Sequence, residues 1–351
     1  MRWKFLNLQD TDIMREKFFT LPDGRNAELF KLRLPDGFGA DITSFGGCIV
    51  SIYTPDAAGN LTDVVLGWKE PQDYLANVCH FGAIVGRVPN RIANGRFELD
   101  GEIYQLYLND HRRCSLHGSF GYSHRLWQVE SVSPAELILT LFSPDGDAGF
   151  PGNLFVRAAY RLLPEHALEM EITAESDRPT VADFTNHVYF NLDGEKSSDT
   201  TGHTIAIHAD RVTETDQYLI PTGKILDVTG TRYDLRQGKK FSTIFAEYDG
   251  GFDDNFILGD NDREFRENAA EVTAGKSGIK LAVHTSRPGI QLYMGNFLNN
   301  TGKSPYPRNS GFCLETQCWP DSVNHPDFPS IRVEPGKPHH SVTRYAFSVE
   351  K

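Results

Sequence analysis

Short apolar runs separated by turn residues fill the chain from Asn26 to Trp68, where AELFKLRL, ADITSF, CIVSIYT and DVVLGW alternate with PDG, GG and AAGN. Runs of this length bounded by Gly, Pro, Asn and Asp predict strand, turn, strand. The same writing returns from Ala135 onward in ELILTLF, LFVRAAYRLL and ALEMEITAE, with SPDGDAGFPGNL and LPEH as the connections. Asp100-Gly101, between FEL and EIYQL, predicts a two-residue hairpin. Pro71 to Cys79 predicts a helical turn with the proline at its start. Gly223 to Phe241 is polar enough to read as a long loop, and SVTRYAFSV near the end as a closing strand. A βαβ alternation is missing, and so are internal repeats, low-complexity segments and linkers. The pattern therefore predicts an all-β fold, a large antiparallel β-sandwich with few short helices, formed as one domain over residues 1–351.

Alternation also decides which side chains share a face. Along Gly311 to Gln317 it puts Phe312 and Leu314 on one side and Cys313, Glu315 and Gln317 on the other, and Trp319-Pro320 ends the strand. Glu315 thus stands near a strand end beside a polar loop, either as a solvated side chain or as an active carboxylate. In FTNHVYFNLDG, Phe184, Asn186, Val188 and Phe190 oppose Thr185, His187, Tyr189 and Asn191. His187 is then either a core histidine satisfied by Thr185 or Tyr189, or an exposed member of a polar face. Gln291 and Tyr293 oppose Ile290, Leu292 and Met294. Asp253 and Asp254, which follow a glycine pair, point to opposite sides of an extended backbone, so one of them faces a given ligand. The regular oxygen spacing of a calcium loop is missing there. His117 sits in the glycine-flanked turn SLHGSFG, where its ring is free to lie open to a ligand. Arg87, Asn90 and Arg91 occupy the loop before the hairpin, where solvated charges are the ordinary expectation.

Composition narrows the class. Hydrophobic residues make up 39% and charged residues 23%, with 31 Gly and 19 Pro, which fits a turn-rich globular chain. The formal charge of −12 comes without any basic block, so the electrostatic footprint of a nucleic-acid or anionic-lipid partner is missing and a neutral small molecule is expected. Met1 to Asp10 lacks an apolar run of signal-peptide length, and nothing later approaches a membrane span. The expected compartment is cytoplasmic. The five cysteines lack C-x-x-C or His-paired spacing, so free thiols and no metal are expected.

Taken in order, GRVPNRIANG, SLHG, SPDGDAGFPGNL, FTNHVYFNLDG, FDDNF, QLYMGNFL and FCLETQCWPDSVNHPDFPS resemble the aldose 1-epimerase (galactose mutarotase) family over nearly the whole chain. The resemblance implies a supersandwich of many antiparallel strands and an isomerase that interconverts the α and β anomers of free aldohexoses such as galactose and glucose, with no cofactor, as a monomer or homodimer. It implies Glu315 as general base, His187 as general acid and His117 as an assistant at the ring oxygen. Asn90, Arg91, Asp253 and Gln291 are implied as sugar-binding positions. Departures from the family pattern at Pro89, Ser119, Asp254 and Cys318 bear on sugar preference. Two alternatives stand beside this reading: a sugar-binding module without catalysis, and an epimerase of hexose phosphates served by Arg87 and Arg91.

Overall fold

The computed structural model describes residues 14–119, 121–261 and 265–350. Their strands gather into one nine-stranded sheet and two five-stranded sheets, with four two-stranded pieces at the connections. Every strand pairing among the described residues is antiparallel. In the large sheet, Leu154–Leu163 lies between Glu136–Ser143 and Ala167–Ser176. The closing strand His339–Val349 then joins Ala167–Ser176 to Ile279–Thr285. One five-stranded sheet runs in chain order from Arg15–Thr20 to Leu61–Asp63. The other has the order Pro221–Asp227, Arg211–Thr215, Asp253–Ile257, Gly289–Tyr293, Cys313–Gln317.

One face of each sheet feeds a contiguous apolar core. Phe30, Ile42 and Ile52 come from the first small sheet, Leu139, Tyr160, Ile172, Leu281 and Tyr345 from the large one, and Phe256, Ile290, Leu292 and Leu314 from the second small one. Each such side chain contributes about 1.5–3 kcal/mol on burial, and the shared interior makes the arrangement a β-sandwich. The predicted hairpin is present, with Asp100-Gly101 joining Arg96–Leu99 to Glu102–Gln105. Pro71 opens a 3₁₀ turn over Pro71–Leu75. The cysteines are unpaired, and all but Cys79 are buried. Among the described residues no helix is long and apolar enough to cross a membrane.

Three expectations need correction. The stretch read as a loop from Gly223 to Phe241 overlaps the strand Pro221–Asp227, whose largely exposed edge position hides the alternation. At its other end the α-helix Phe241–Glu247 begins, which buries Phe241 and Ile244 and packs Phe245 against the core at helical spacing. The two loop arginines are buried, Arg87 to 2% and Arg91 to 8% exposure. Arg87 donates from Nη1 to the carbonyls of Pro151 and Gly152 (2.7 and 3.1 Å) and from Nη2 to Ser143 Oγ (2.7 Å). It is a clamp between two loops.

Candidate active site

The site begins with three adjacent strands of the second small sheet. Their register aligns Asn255, Gln291 and Glu315 in one row and Asp253, Tyr293 and Cys313 in the next. Because Ile290, Leu292 and Leu314 are committed to the core, the opposite face must present these polar groups away from it. That face is covered: Glu315 is only 2% exposed. The strand's far end is fixed by Asp183, which accepts the Cys318 N–H at 2.8 Å and forms a buried ion pair with Arg287.

The cover comes from distant loops. His187 follows the short strand Thr185–Asn186, which pairs with Ile84–Val85, and its own N–H and C=O are bonded to Ala83 and Gly82. Its ring stacks on Tyr189 at 5.0 Å and meets Tyr293 and His117 edge to face. Nε2 lies 3.7 Å from Glu315 Oε1, and Nδ1 lies 3.5 Å from Cys313 Sγ. Asn90 and His117 both have left-handed backbones, with φ of 56° each. They clasp each other: the His117 N–H donates to Asn90 O at 2.9 Å, and the Asn90 N–H donates to His117 Nδ1 at 3.2 Å. Gly118 makes the loop's approach possible, since a Cβ there would lie 2.3 Å from Gly86 O. Arg91 opens the strand Arg91–Ala93, paired to Cys114–Leu116, and its Nε contacts Asp110 Oδ2 at 2.9 Å.

All seven positions singled out from the sequence come together. Glu315, His187, His117, Asn90, Arg91 and Asp253 line a cavity of about 330 Å³, and Gln291 reaches it through a 2.8 Å bond from Nε2 to Asp253 Oδ1. Asp254 points away, toward Tyr233. A larger open groove of about 1040 Å³, bordered by Arg332, Lys337 and His340, holds none of these groups. Sequence reasoning did not single out His80, Cys79, Phe297 or Leu298, which also line the cavity. Tyr189 and Tyr293 do so as well, and alternation had already placed them beside His187 and Gln291.

Burial dominates the electrostatics. It pushes the Glu315 carboxyl well above the usual carboxylate range, the nearby Asp253 adding to the effect and Arg91 opposing it. It lowers His187 to about 4 and takes His117 and His80 well below the ordinary imidazole value. Asp253 is raised, again chiefly by burial and against the pull of Arg91 and Gln291. Glu315 Oε2 and Gln291 Oε1 are buried acceptors with no hydrogen-bond donor from the chain. One ligand atom from each of His117, His187 and Glu315 falls within 4.8 Å of the others, a spacing within reach of a cation. The Asn90 N–H on Nδ1, however, assigns the His117 proton to Nε2, so that nitrogen offers a donor and no lone pair for a metal. The set suits a ligand rich in hydroxyl groups, which both donates and accepts.

Comparison with known proteins agrees with that chemistry. The family model for aldose 1-epimerase matches residues 28–346. The chain is 42% identical to the galactose mutarotase of Rattus norvegicus over 344 residues, covering 96% of this chain and 99% of that protein. It is 35% identical to the aldose 1-epimerase of Escherichia coli strain K12 over 342 residues, covering 94% and 97%. Among solved structures, an aldose epimerase homologue from C. elegans superposes with a TM-score of 0.86 at 28% identity, over 93% of this chain and 100% of that one. A galactose 1-epimerase from Lactobacillus acidophilus gives 0.83 at 27% identity, over 96% and 98%.

Proposed function

Since the chain belongs to the aldose 1-epimerase family, we propose that it interconverts the α and β anomers of free aldohexoses such as galactose and glucose by general acid–base opening and reclosure of the hemiacetal ring. The observation that carries the reading is the Glu315–His187 pair, buried side by side at 3.7 Å in a cavity otherwise lined by groups that bind hydroxyls. Glu315 takes the proton from the C1 hydroxyl while His187 gives one to the ring oxygen, which breaks the C1–O5 bond and leaves an open-chain aldehyde. After rotation about C1–C2 the ring recloses on the other face, with the two roles reversed. His117, its proton on Nε2, donates to the sugar near the ring oxygen. Each of these proton transfers is worth about 10²–10⁴ in rate.

Such a cycle returns every proton it uses, so the pair needs one proton between its two members. Burial supplies that condition, because it lowers His187 to about 4 while raising Glu315. Both shifts favour the uncharged pair in the free enzyme, with the proton on Glu315, so the roles of base and acid call for its passage to His187 as the sugar binds. Polarimetry with freshly dissolved α-D-galactose, α-D-glucose, xylose and arabinose tests the activity. Its pH dependence tests the pair: kcat/KM is expected to fall below about pH 4, where a second proton is added, and again in alkali, where the shared one is lost. A profile without either limb removes Glu315 and His187 from the chemistry.

Neither alternative fits as well. A binding module has no use for a buried carboxylate whose desolvation costs stability. A phosphate-bearing substrate needs free cations, whereas Arg87 is spent on carbonyls and Arg91 is paired with Asp110. Within the accepted reading Asp253 holds a sugar hydroxyl, through a bond worth about 1.5–3 kcal/mol in ground and transition states alike. Asp253→Asn is expected to raise KM more than it lowers kcat, and Asp254→Asn to stay near wild type, as steady-state kinetics will report. The reverse outcome would put Asp254 in contact with the sugar.

A further inference from the structure

Three imidazoles line the cavity, and ring opening uses two of them, His117 and His187. The third, His80, is held in a left-handed backbone conformation (φ 53°) by its own main chain, whose N–H donates to Asn77 O at 2.8 Å and whose C=O accepts the Ala83 N–H at 3.0 Å. Its side chain takes no part in those bonds. The ring packs against His117 at 5.1 Å, His124 at 5.6 Å and His187 at 5.9 Å. Nδ1 is enclosed and has no partner, so His80 is not the hydrogen-bonded histidine of an ordinary core. An N–H on Nδ1 would be a buried donor without an acceptor, which assigns the proton to Nε2, the nitrogen left to face the cavity. Burial keeps the ring neutral, the nearby His187 and His124 adding to the effect. His80 thus offers the cavity one uncharged donor.

Its place along a bound sugar follows from its neighbours. With the C1 hydroxyl at Glu315 and the ring oxygen at His187 and His117, the pyranose continues from that oxygen to C5, which carries the C6 hydroxymethyl. Glu315 lies at the Nε2 edge of His187, whereas His80 stacks on the ring face of His187 and abuts His117. The charges that reach Glu315 are those of Asp253 and Arg91, and those that reach His80 belong to His187 and His124, so His80 stands past the ring-oxygen imidazoles from the glutamate. Building on the aldose 1-epimerase reading, we propose that His80 donates from Nε2 to the hydroxyl on C6, and so selects aldohexoses over sugars that lack that hydroxyl. A donor fixed there has nothing to bond when the sugar carries a methyl group at the same place, and leaving it unpaired beside the ligand weakens ground and transition states alike.

The test compares D-galactose, 6-deoxy-D-galactose and 2-deoxy-D-galactose by anomer exchange in NMR. In the wild type, kcat/KM for galactose is expected to exceed that for the 6-deoxy sugar by about fivefold or more. His80→Phe keeps the ring contacts but has no donor, and there the preference is expected to fall to within about twofold, chiefly through a raised KM for galactose. The preference for galactose over the 2-deoxy sugar should stay as it was, which separates a contact at C6 from a general loosening of the cavity. Equal values for galactose and the 6-deoxy sugar in the wild type, an unchanged preference in His80→Phe, or a parallel change for the 2-deoxy sugar overturns the proposal. Galactose turnover by the wild type is the separate check: its absence defeats the activity itself, whereas turnover without discrimination at C6 defeats only this inference. Should His80→Phe not fold, His80→Gln, which keeps a donor at similar reach, is expected to retain the preference, and its loss there counts against His80.

Discussion

Glu315→Gln is expected to keep the fold and to lose about 99% of kcat or more. The amide copies the shape of the carboxylate but cannot accept the C1 hydroxyl proton, and loss of a general base removes about 10²–10⁴ in rate. Stability should move the other way or not at all. In the free enzyme Glu315 is a buried acid raised by desolvation, with one oxygen lacking a donor, so a neutral amide is easier to accommodate there. A thermal melt at or above the wild-type midpoint, together with the collapse of polarimetric activity, is the combination that identifies a catalytic rather than a scaffolding glutamate. Retention of more than about a tenth of kcat would remove Glu315 from the role of base.

His187→Asn is expected to lower kcat by about 10²-fold with a smaller change in KM. The imidazole sits between Tyr189 and Glu315, and its own backbone bonds to Gly82 and Ala83 do not depend on the side chain. The replacement therefore removes a proton donor without releasing the loop. The acid limb of the pH profile, which reports the proton on His187, should change with it. Steady-state kinetics separate the roles: a raised KM at unchanged kcat would make His187 a binding residue instead.

The strand pattern carried most of this architecture. Alternation put Glu315 opposite Leu314, Gln291 opposite Ile290 and Asp253 opposite Asp254, and each of these side chains lies on the expected side. What alternation cannot reveal is the surface that a polar face meets. Glu315 reads equally well as solvated until His187, Arg91 and His117 close over it, and they arrive from residues far away in the chain. Arg87 and Arg91 fail for the same reason. A loop arginine is ordinarily wet, but the carbonyls of Pro151 and Gly152 and the carboxylate of Asp110 are partners that no local window contains. The helix Phe241–Glu247 escaped because seven residues span barely two turns, too few for its period to stand out from the surrounding polar stretch. His80 had no signal of its own, since it follows a 3₁₀ turn and is brought to the cavity by tertiary packing.

The division of labour on the strands Asp253–Ile257, Gly289–Tyr293 and Cys313–Gln317 bears on how such an enzyme can change over generations. Core and cavity residues alternate along the same backbone and point to opposite faces, so exchanges at Gln291 or Asp253 alter what the cavity accepts on the side away from Ile290, Leu292 and Phe256. A lineage built on this sheet is free to drift among sugars one residue at a time without first re-solving its interior.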